Sequence, residues 1–510
     1  MKTLSALLDN SSTEHPNRVA VEDPSSGAVV TYRELQQHAL VIRDALLGAG
    51  IHRGDRVGVY AQKSLATVAA LFGILGAGAA YVPVDPTAPP GRNARILRDC
   101  SISAIVIAAT LVEQFMEEWR GDPLEELQHF DDGLVLLGSE GVVELPTVEE
   151  VSLGDIAYIL YTSGSTGSPK GVVHTHGSAL SFIRWCSQEF APTNEDRFSS
   201  HAPFHFDLSI LDIYVAIAHG GTLVLIRDDV GKQPVALARL IAGGRITVWY
   251  STPSVLRFLV EYGRLGEVDC SSLRLVLFAG EVFPVKHLRA LKAAWPLPKY
   301  YNLYGPTETN VCTFFEIPKT IPEDRGDPYP IGQACSGDRT ILAPDAGGDT
   351  TNTTAGELLV SGGSVMKGYW NMPEATVSSF FVDDAGVRWY RTGDTAAETG
   401  EDGYSFVGRI DRMVKRRGYR VELGEIETAL HRHPLISQAA VTSSSDDENG
   451  VQIRAFVASA GGDRPTLVEM KRFCAAQLPL YMVPDTIVFL DALPHTSTDK
   501  IDYQRLAGKM

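Results

Sequence analysis

An α/β fold in several units is expected from three features of the chain. Short apolar runs alternate with segments of helical periodicity, the pattern of strands layered against helices. The 510 residues exceed what one core encloses and suggest three or four folding units. The character then changes near the C-terminus, where the basic segment GRIDRMVKRRGYR (408–420) precedes a helical pattern and two apparent strands.

The elements follow in order. TYRELQQHALVIRDALLGAG (31–50) spaces its apolar residues as a helix does and ends at Gly50, a C-cap signal. VGVYA (57–61) and SAIVIAA (103–109) read as buried strands. The most apolar stretch, Leu65 to Val84, is rich in Gly and Ala and interrupted by Pro83, so it reads as a buried helix leading into a strand and not as a membrane span. Strands are expected again at IAYILYT (156–162), GTLVLI (221–226), ITVWYS (246–251) and LRLVLFAG (273–280). Polar, turn-rich segments fall at 340–356 and 443–450, the second joining QAAVTS and VQIRAFVAS as a hairpin would. A helix is expected around GEIETALHRH, within a small C-terminal α+β unit. Residues 111–150 carry no legible chemistry.

The net charge of −17 makes general nucleic-acid binding a poor expectation, because neutralising phosphates needs surplus Lys and Arg. An anionic ligand must therefore meet a locally positive pocket. Cys100, Cys186, Cys270, Cys312, Cys335 and Cys474 are dispersed without a CxxC pair, so neither a disulfide framework nor a zinc ribbon is indicated. The opening MKTLSALLDNSSTEHP lacks the apolar core of a signal peptide. A reducing cytoplasm, with no membrane association, is the expected setting.

The sharpest local signal is YTSGSTGSPKG (161–171). It leaves the end of the apolar run IAYIL. Its small residues let backbone N–H groups and the hydroxyls of Thr162, Ser163, Ser165 and Thr166 point at one anion, and Lys170 adds a full charge. The spacing is not that of a Walker A loop.

This segment resembles the signature of the adenylate-forming superfamily, which includes peptide-synthetase adenylation domains, acyl-CoA ligases and luciferases. Further landmarks occur in the family's order: FHFDLSILDIY (204–214), NLYGPTETN (302–310), YRTGD (390–394), GRIDRMVKRRGYRVELGEIE (408–427) and TDKID (498–502). The resemblance implies a large N-terminal α/β domain, 1–410, of two stacked βα sheets plus a small distorted β-barrel. A small α+β domain, 411–510, is hinged to it at Asp411.

It also implies a reaction in two halves. A carboxylate attacks the α-phosphorus of ATP, giving an acyl-adenylate and pyrophosphate; a thiol then expels AMP. The first half builds charge on phosphoryl oxygens and calls for Mg²⁺ and cationic donors. By resemblance Glu308 is the Mg²⁺-linked acid and Thr307 lies near the α-phosphate. Asn302 and Tyr304 contact adenine, with Ala279, Gly280 and Glu281 opposite and Gly305 beside them. Asp394 accepts from the ribose, Arg409 lies near ribose and phosphates, and His205 is the gate between nucleotide and acyl pocket. Lys500 would orient the attacking carboxylate and offset charge, although Thr498-Asp499-Lys500 departs from the family's usual Asn-Gly-Lys. His174 with His176, and His431 with His433, imitate metal motifs, but no third ligand is identifiable.

Asp207 is the informative substrate residue. Adenylation domains for α-amino acids carry an Asp here to pair with the ammonium, and a buried Asp without such a partner is costly. Carried over from the family, the remaining pocket positions are Leu208, Leu211, Tyr250, Leu277, Ala279, Leu303, Val311 and Cys312, with Lys500 completing the set. The lining is apolar, narrow and without a second charge, which suits a compact aliphatic ring. The set resembles that of prolyl ligases that load L-proline onto carrier proteins for pyrrole formation. A D-alanine–carrier-protein ligase is the nearest alternative, disfavoured by Ala279. A CoA ligase is disfavoured by Asp207, and a non-catalytic scaffold by the retained Lys170, Glu308, Asp394 and Lys500. No carrier motif is found in the chain, so a separate phosphopantetheinylated carrier protein is the expected partner. The basic residues Arg409, Arg412, Lys415, Arg416, Arg417 and Arg420 are expected in part to steer that carrier.

Overall fold

The structure is a computed structural model that describes residues 3–130, 132–139, 150–164, 168–343, 354–446, 450–459, 464–495 and 501–507. Ser165, Thr166 and Lys500 lie outside the described residues.

Two large sheets form the N-terminal part. The first has nine strands in the spatial order Gln333–Ala334, Thr313–Ile317, Lys299–Tyr304, Leu275–Ala279, Val248–Ser251, Arg197–Ser200, Thr222–Leu225, Val19–Asp23 and Ala28–Thr31. Its six central strands, Lys299–Tyr304 through Val19–Asp23, are parallel, and its edges pair antiparallel. The second has eight strands, ordered Gly368–Tyr369, Lys170–Thr175, Ile156–Thr162, Ala80–Pro83, Arg56–Tyr60, Ala104–Ala108, Leu134–Gly138 and Glu125–His129. Central strands such as LVLFA are buried throughout, as parallel strands covered on both faces must be.

The two sheets stack around a shared helical layer. One apolar cluster contains Val21, Leu223 and Leu277 of the first sheet, Val57, Tyr81 and Leu160 of the second, and Leu35, Phe72 and Phe182 from the helices Tyr32–Gly48, Leu65–Gly76 and His176–Phe190. The first of these helices starts on a capping box between Thr31 and Glu34 and ends before Gly50, whose φ of +77° is the left-handed turn read from the sequence.

The expected small barrel is an open antiparallel sheet among the described residues. Asp338–Ala343, Ala355–Gly362, Arg388–Glu398 and Phe380–Val382 run in that order, and Tyr404–Arg409 also pairs with Arg388–Glu398. Closure would need the two end strands to pair. Phe380–Val382 has only three residues, and Asp338–Ala343 pairs on one side alone.

The chain leaves this sheet at Arg409 and enters a tight hairpin, Met413–Arg416 with Tyr419–Glu422. The turn residues Arg417 and Gly418 have φ of +52° and +81°, the primed turn that matches strand twist. The helix Leu423–His431 follows, then the hairpin Ile436–Asp446 and Gly450–Ser459, the helix Leu467–Gln477 and the parallel strand Thr486–Leu490. Val421, Ile426, Leu430, Val441, Ile453 and Met470 give this part its own core. No helix among the described residues is long and apolar enough to cross a membrane, and all six cysteines are free and buried.

Candidate active site

Parallel strands deliver their carboxyl ends to one crevice, the usual site position in α/β sheets. Here Ile156–Thr162, Leu275–Ala279 and Lys299–Tyr304 end beside a cavity roofed by the Met413–Glu422 hairpin. Its N-terminal walls include Thr162, Ser163, His205, Asp207, Leu208, Tyr250, Ala279, Gly280, Gly305, Thr307, Val311 and Arg409, all expected from the sequence. Lys415, Gly418, Tyr419 and Arg420 complete it from the C-terminal part.

Asp207 opens the short helix Leu208–Ile210 and faces this cavity. Burial raises its pKa, while the Thr307 hydroxyl and the positive charge of Lys415 pull the other way. Leu208, Tyr250, Ala279 and Val311 supply a compact apolar wall around it. Four expected pocket residues do not reach that wall. Leu211, Leu277 and Leu303 pack in the central core behind it, and Cys312 sits with Tyr304, Leu342 and Leu358 under the small sheet. For Leu277 the reason is the strand period: it shares a face with Ala279 but lies one pleat deeper.

Glu308 is fully buried. It accepts from one Arg420 nitrogen at 2.9 Å on each oxygen and from the Tyr369 hydroxyl at 2.7 Å. Burial pushes its pKa up, but Arg420 and Tyr369 outweigh that and hold it below the usual range. A guanidinium thus stands where a cation was expected. Among the described residues no group of three His, Cys, Asp or Glu could hold a metal alone. One carboxylate together with substrate phosphates is nevertheless a normal Mg²⁺ donor set.

The nucleotide residues are brought together around Asp394. Its Oδ2 accepts from the Tyr304 hydroxyl at 2.5 Å and its Oδ1 from Arg409, which also binds Asp411 at 2.6 Å and 2.7 Å. Asn302 donates to the Pro330 carbonyl at 2.8 Å instead of pointing at the cavity. Glu281 is spoken for as well: it accepts from the Ser254 N–H at 3.0 Å and from the Gly418 N–H at 2.7 Å. Thr162 Oγ1 is buried without a hydrogen-bond partner among the described residues, and Lys170 lies 5.3 Å from the Tyr369 ring centre. Ser163 donates to the Arg420 carbonyl at 2.6 Å and accepts from the Glu422 N–H at 3.2 Å, so a loop hydroxyl holds the hairpin. His205 Nε2 has no hydrogen-bond partner among the described residues and lies 3.9 Å from Asp85.

Most of the basic segment, expected in part to steer a carrier, is engaged within the chain. Arg409 serves Asp394 and Asp411; Arg412 serves Glu427 and the Val441 carbonyl; Arg416 serves Asp485 and the Tyr481 and Val483 carbonyls. Arg420 is turned inward on Glu308 and Lys415 into the cavity. Arg417 stands exposed in the turn of the hairpin. His174, His176 and His433 bond within the fold. His174 bonds Ser178 Oγ at 3.1 Å and the Thr307 carbonyl at 2.9 Å, and His176 Nδ1 accepts from the Leu4 N–H at 3.1 Å. His433 Nδ1 accepts from the Leu435 N–H.

Several residues escaped the sequence reading. Arg92 lines the cavity and pairs with Glu425 of the C-terminal part, Tyr419 stacks on Tyr481 at 3.8 Å, and His174 braces Thr307. The available signal for the roof was the alternation of Met413 and Lys415 along one strand, with Arg420 opposite Lys415 on the other.

Comparison with known proteins agrees with this geometry. The family model AMP-binding enzyme matches residues 8–370, and AMP-binding enzyme C-terminal domain matches 425–500. The chain is 38% identical to an L-proline–[L-prolyl-carrier protein] ligase of Pseudomonas fluorescens over 100% of both chains. It is 39% identical to one of Streptomyces coelicolor, covering 98% of this chain and 95% of that one. Among solved structures, IdnL1 superposes with a TM-score of 0.81 at 30% identity, covering 97% of this chain and 99% of the other. These likenesses cover the cavity, both sheets and the small domain, and the chain belongs to the AMP-binding enzyme family.

Proposed function

We propose that the protein condenses L-proline with ATP to prolyl-AMP, releasing pyrophosphate, and then passes the prolyl group to the phosphopantetheine thiol of a separate carrier protein. The observation that carries this reading is Asp207, a carboxylate on an otherwise apolar wall beside the nucleotide residues. It matches a zwitterion with a small apolar ring: the ammonium meets Asp207, and the ring meets Leu208, Tyr250, Ala279 and Val311. The two relatives named for L-proline and its carrier support the same substrate and acceptor. The natural use we propose is supply of a carrier-bound prolyl group for pyrrole formation in the cytoplasm.

In this reading Thr162, Ser163, Lys170 and Thr307 handle the phosphates, with Ser165 and Thr166. Ala279, Gly280, Asn302, Tyr304 and Gly305 form the adenine slot, and Asp394 and Arg409 hold the ribose. Glu308 would hold Mg²⁺ with the substrate phosphates once Arg420 withdraws, and the ion would supply positive charge to the phosphoryl oxygens. Lys500 orients the carboxylate in the first half-reaction. The domains are 1–410 and 411–510, and Asp411, released from Arg409, is the hinge. The arrangement seen here suits the second half-reaction, because Gly418 and Tyr419 already wall the cavity.

The test is amino-acid-dependent ATP–pyrophosphate exchange across a substrate panel, followed by loading of a phosphopantetheinylated carrier or of CoA. Exchange with L-proline and loading of the carrier are expected. Exchange with D-alanine alone, or loading of CoA alone, would replace this reading by one of the alternatives.

A further inference from the structure

Two residues of the sequence motifs have no part in the mechanism so far: His174, beside the phosphate loop, and Asn310, which ends NLYGPTETN. The structure brings them together. His174 and Tyr158 are cross-strand partners on the strands Lys170–Thr175 and Ile156–Thr162, the hairpin that carries the phosphate loop in the second sheet. Both side chains reach the loop that leaves Lys299–Tyr304 in the first sheet. His174 Nε2 lies 2.9 Å from the Thr307 carbonyl, and the Tyr158 hydroxyl donates to Asn310 Oδ1 at 3.4 Å. Asn310 Nδ2 lies 3.5 Å from His174 Nδ1. All three side chains are buried, and Asn310 also lines the cavity between Thr307 and Val311.

The proton positions follow from the partners. A carbonyl only accepts, so Nε2 carries the His174 proton. Burial lowers the pKa of this ring to about 4, so it is neutral near pH 7 and Nδ1 is left as an acceptor. Its neighbours, Ser178 Oγ at 3.1 Å and the Asn310 amide, can both donate. The backbone of Asn310 is fixed as well. Its φ of +56° is left-handed, a conformation that Asn adopts more readily than most residues. Its carbonyl oxygen would lie 2.2 Å from a Cβ at Gly305, so only glycine allows the two backbones to approach. The Cys312 N–H closes the loop on the Tyr304 carbonyl at 2.8 Å.

We propose that Asn310 and His174 are positioning residues for the first half-reaction: together they lock the loop from Thr307 to Val311 in one sheet to the phosphate-loop hairpin of the other, so that the amino acid's carboxylate and the α-phosphate meet in a fixed register. The inference rests on the proposed function and adds two residues to it. The need is geometric. The phosphate loop comes from the second sheet, and Thr307 and the acyl wall at Val311 come from the first. In-line attack tolerates little error between them, since a misplacement of about 1 Å costs on the order of a hundredfold in rate. Asn310 stands where the two meet. Its amide bonds to the hairpin, and its backbone sets Val311 on one side and the turn Thr307–Thr309 on the other.

The experiment measures kcat and KM of proline-dependent ATP–pyrophosphate exchange in the wild type, N310G, H174N and N310G/H174N. Glycine accepts the left-handed backbone, so N310G removes the amide alone. Asparagine at position 174 is too short to reach the Thr307 carbonyl. Each single variant is expected to lower kcat by about fivefold to tenfold, the size of a hydrogen bond, with KM for proline and for ATP within about twofold of the wild type. The double variant should be no more than about twofold slower than the slower single variant, because the two residues act as one unit. A raised KM with unchanged kcat overturns the proposal, and so does a kcat within about twofold of wild type in both single variants. Losses that multiply in the double variant overturn it too, since they would show two independent packing defects. Should H174N fail to fold, the split between kcat and KM in N310G decides alone. A wild type without proline-dependent exchange would sink the underlying function instead, which separates the two failures.

Discussion

Arg420 of the small domain reaches across the boundary and donates to both carboxylate oxygens of Glu308, at 2.9 Å each. The pair is buried, and removing one member of a buried ion pair costs about 3–5 kcal/mol. Arg420→Gln should therefore weaken this domain arrangement. Carrier loading should fall at least tenfold more than proline-dependent exchange, as read by single-turnover loading against exchange rates. An equal loss in both would show that the contact does not belong to the second half-reaction.

Gly418 offers a steric version of the same test. Its φ is +81°, and a Cβ there would come within 2.3 Å of Thr252 Cγ2. Gly418→Ala should keep the hairpin from seating and slow loading by about tenfold, the scale of 1–2 kcal/mol of left-handed strain plus the clash. Adding Thr252→Ser removes the methyl and should recover part of the rate. No recovery would place the defect elsewhere.

Lys63 ties the two sheets together. Its ammonium donates to the carbonyls of Ser200, His201 and Ala202 at 2.7, 2.8 and 3.2 Å, and burial lowers its pKa to about 8. Lys63→Met leaves three carbonyls without this donor just before His205 and Asp207. A stability loss of about 3 kcal/mol in urea unfolding is expected, at the upper end for unsatisfied buried groups. A loss under 1 kcal/mol would mean that water replaces the ammonium.

His176 supplies a pH dependence. Burial lowers its pKa from 6.5 to about 4, so the folded state resists a proton that the unfolded chain accepts. The penalty is absent above pH 6.5, grows as pH falls, and is complete below about pH 4. It amounts to roughly 3 kcal/mol. His176→Asn should flatten the wild-type loss of stability between pH 6.5 and 4 by about that amount, measured as denaturation midpoints along the pH series. Parallel curves for both proteins would contradict the assignment.

The strands and helices were legible because the apolar periods are strong. IAYILYT is the strand Ile156–Thr162, and the helix read at 31–50 is Tyr32–Gly48. The barrel was not, because strand closure depends on which edges pair, and periodicity carries no pairing information. At the site, Asp207, Tyr250 and Val311 were legible as wall residues. Leu211, Leu277, Leu303 and Cys312 were not separable from the core, since an apolar residue one layer behind a pocket looks the same in sequence. The partners of the basic segment were not legible for a related reason. Charge is visible in a sequence, but its partners Asp485, Glu427 and Glu308 lie 69, 15 and 112 residues away from Arg416, Arg412 and Arg420.

In the proposed function Asp207 selects the substrate by its nitrogen. The direct measurement is exchange with L-proline against cyclopentanecarboxylate, the same ring without the amine, in the wild type and in Asp207→Ala. The wild type is expected to favour proline by at least a hundredfold, in line with about 3 kcal/mol for a buried charged pair, and Asp207→Ala to erase that preference. Equal use of both acids by the wild type, or a preference that survives in Asp207→Ala, would contradict it.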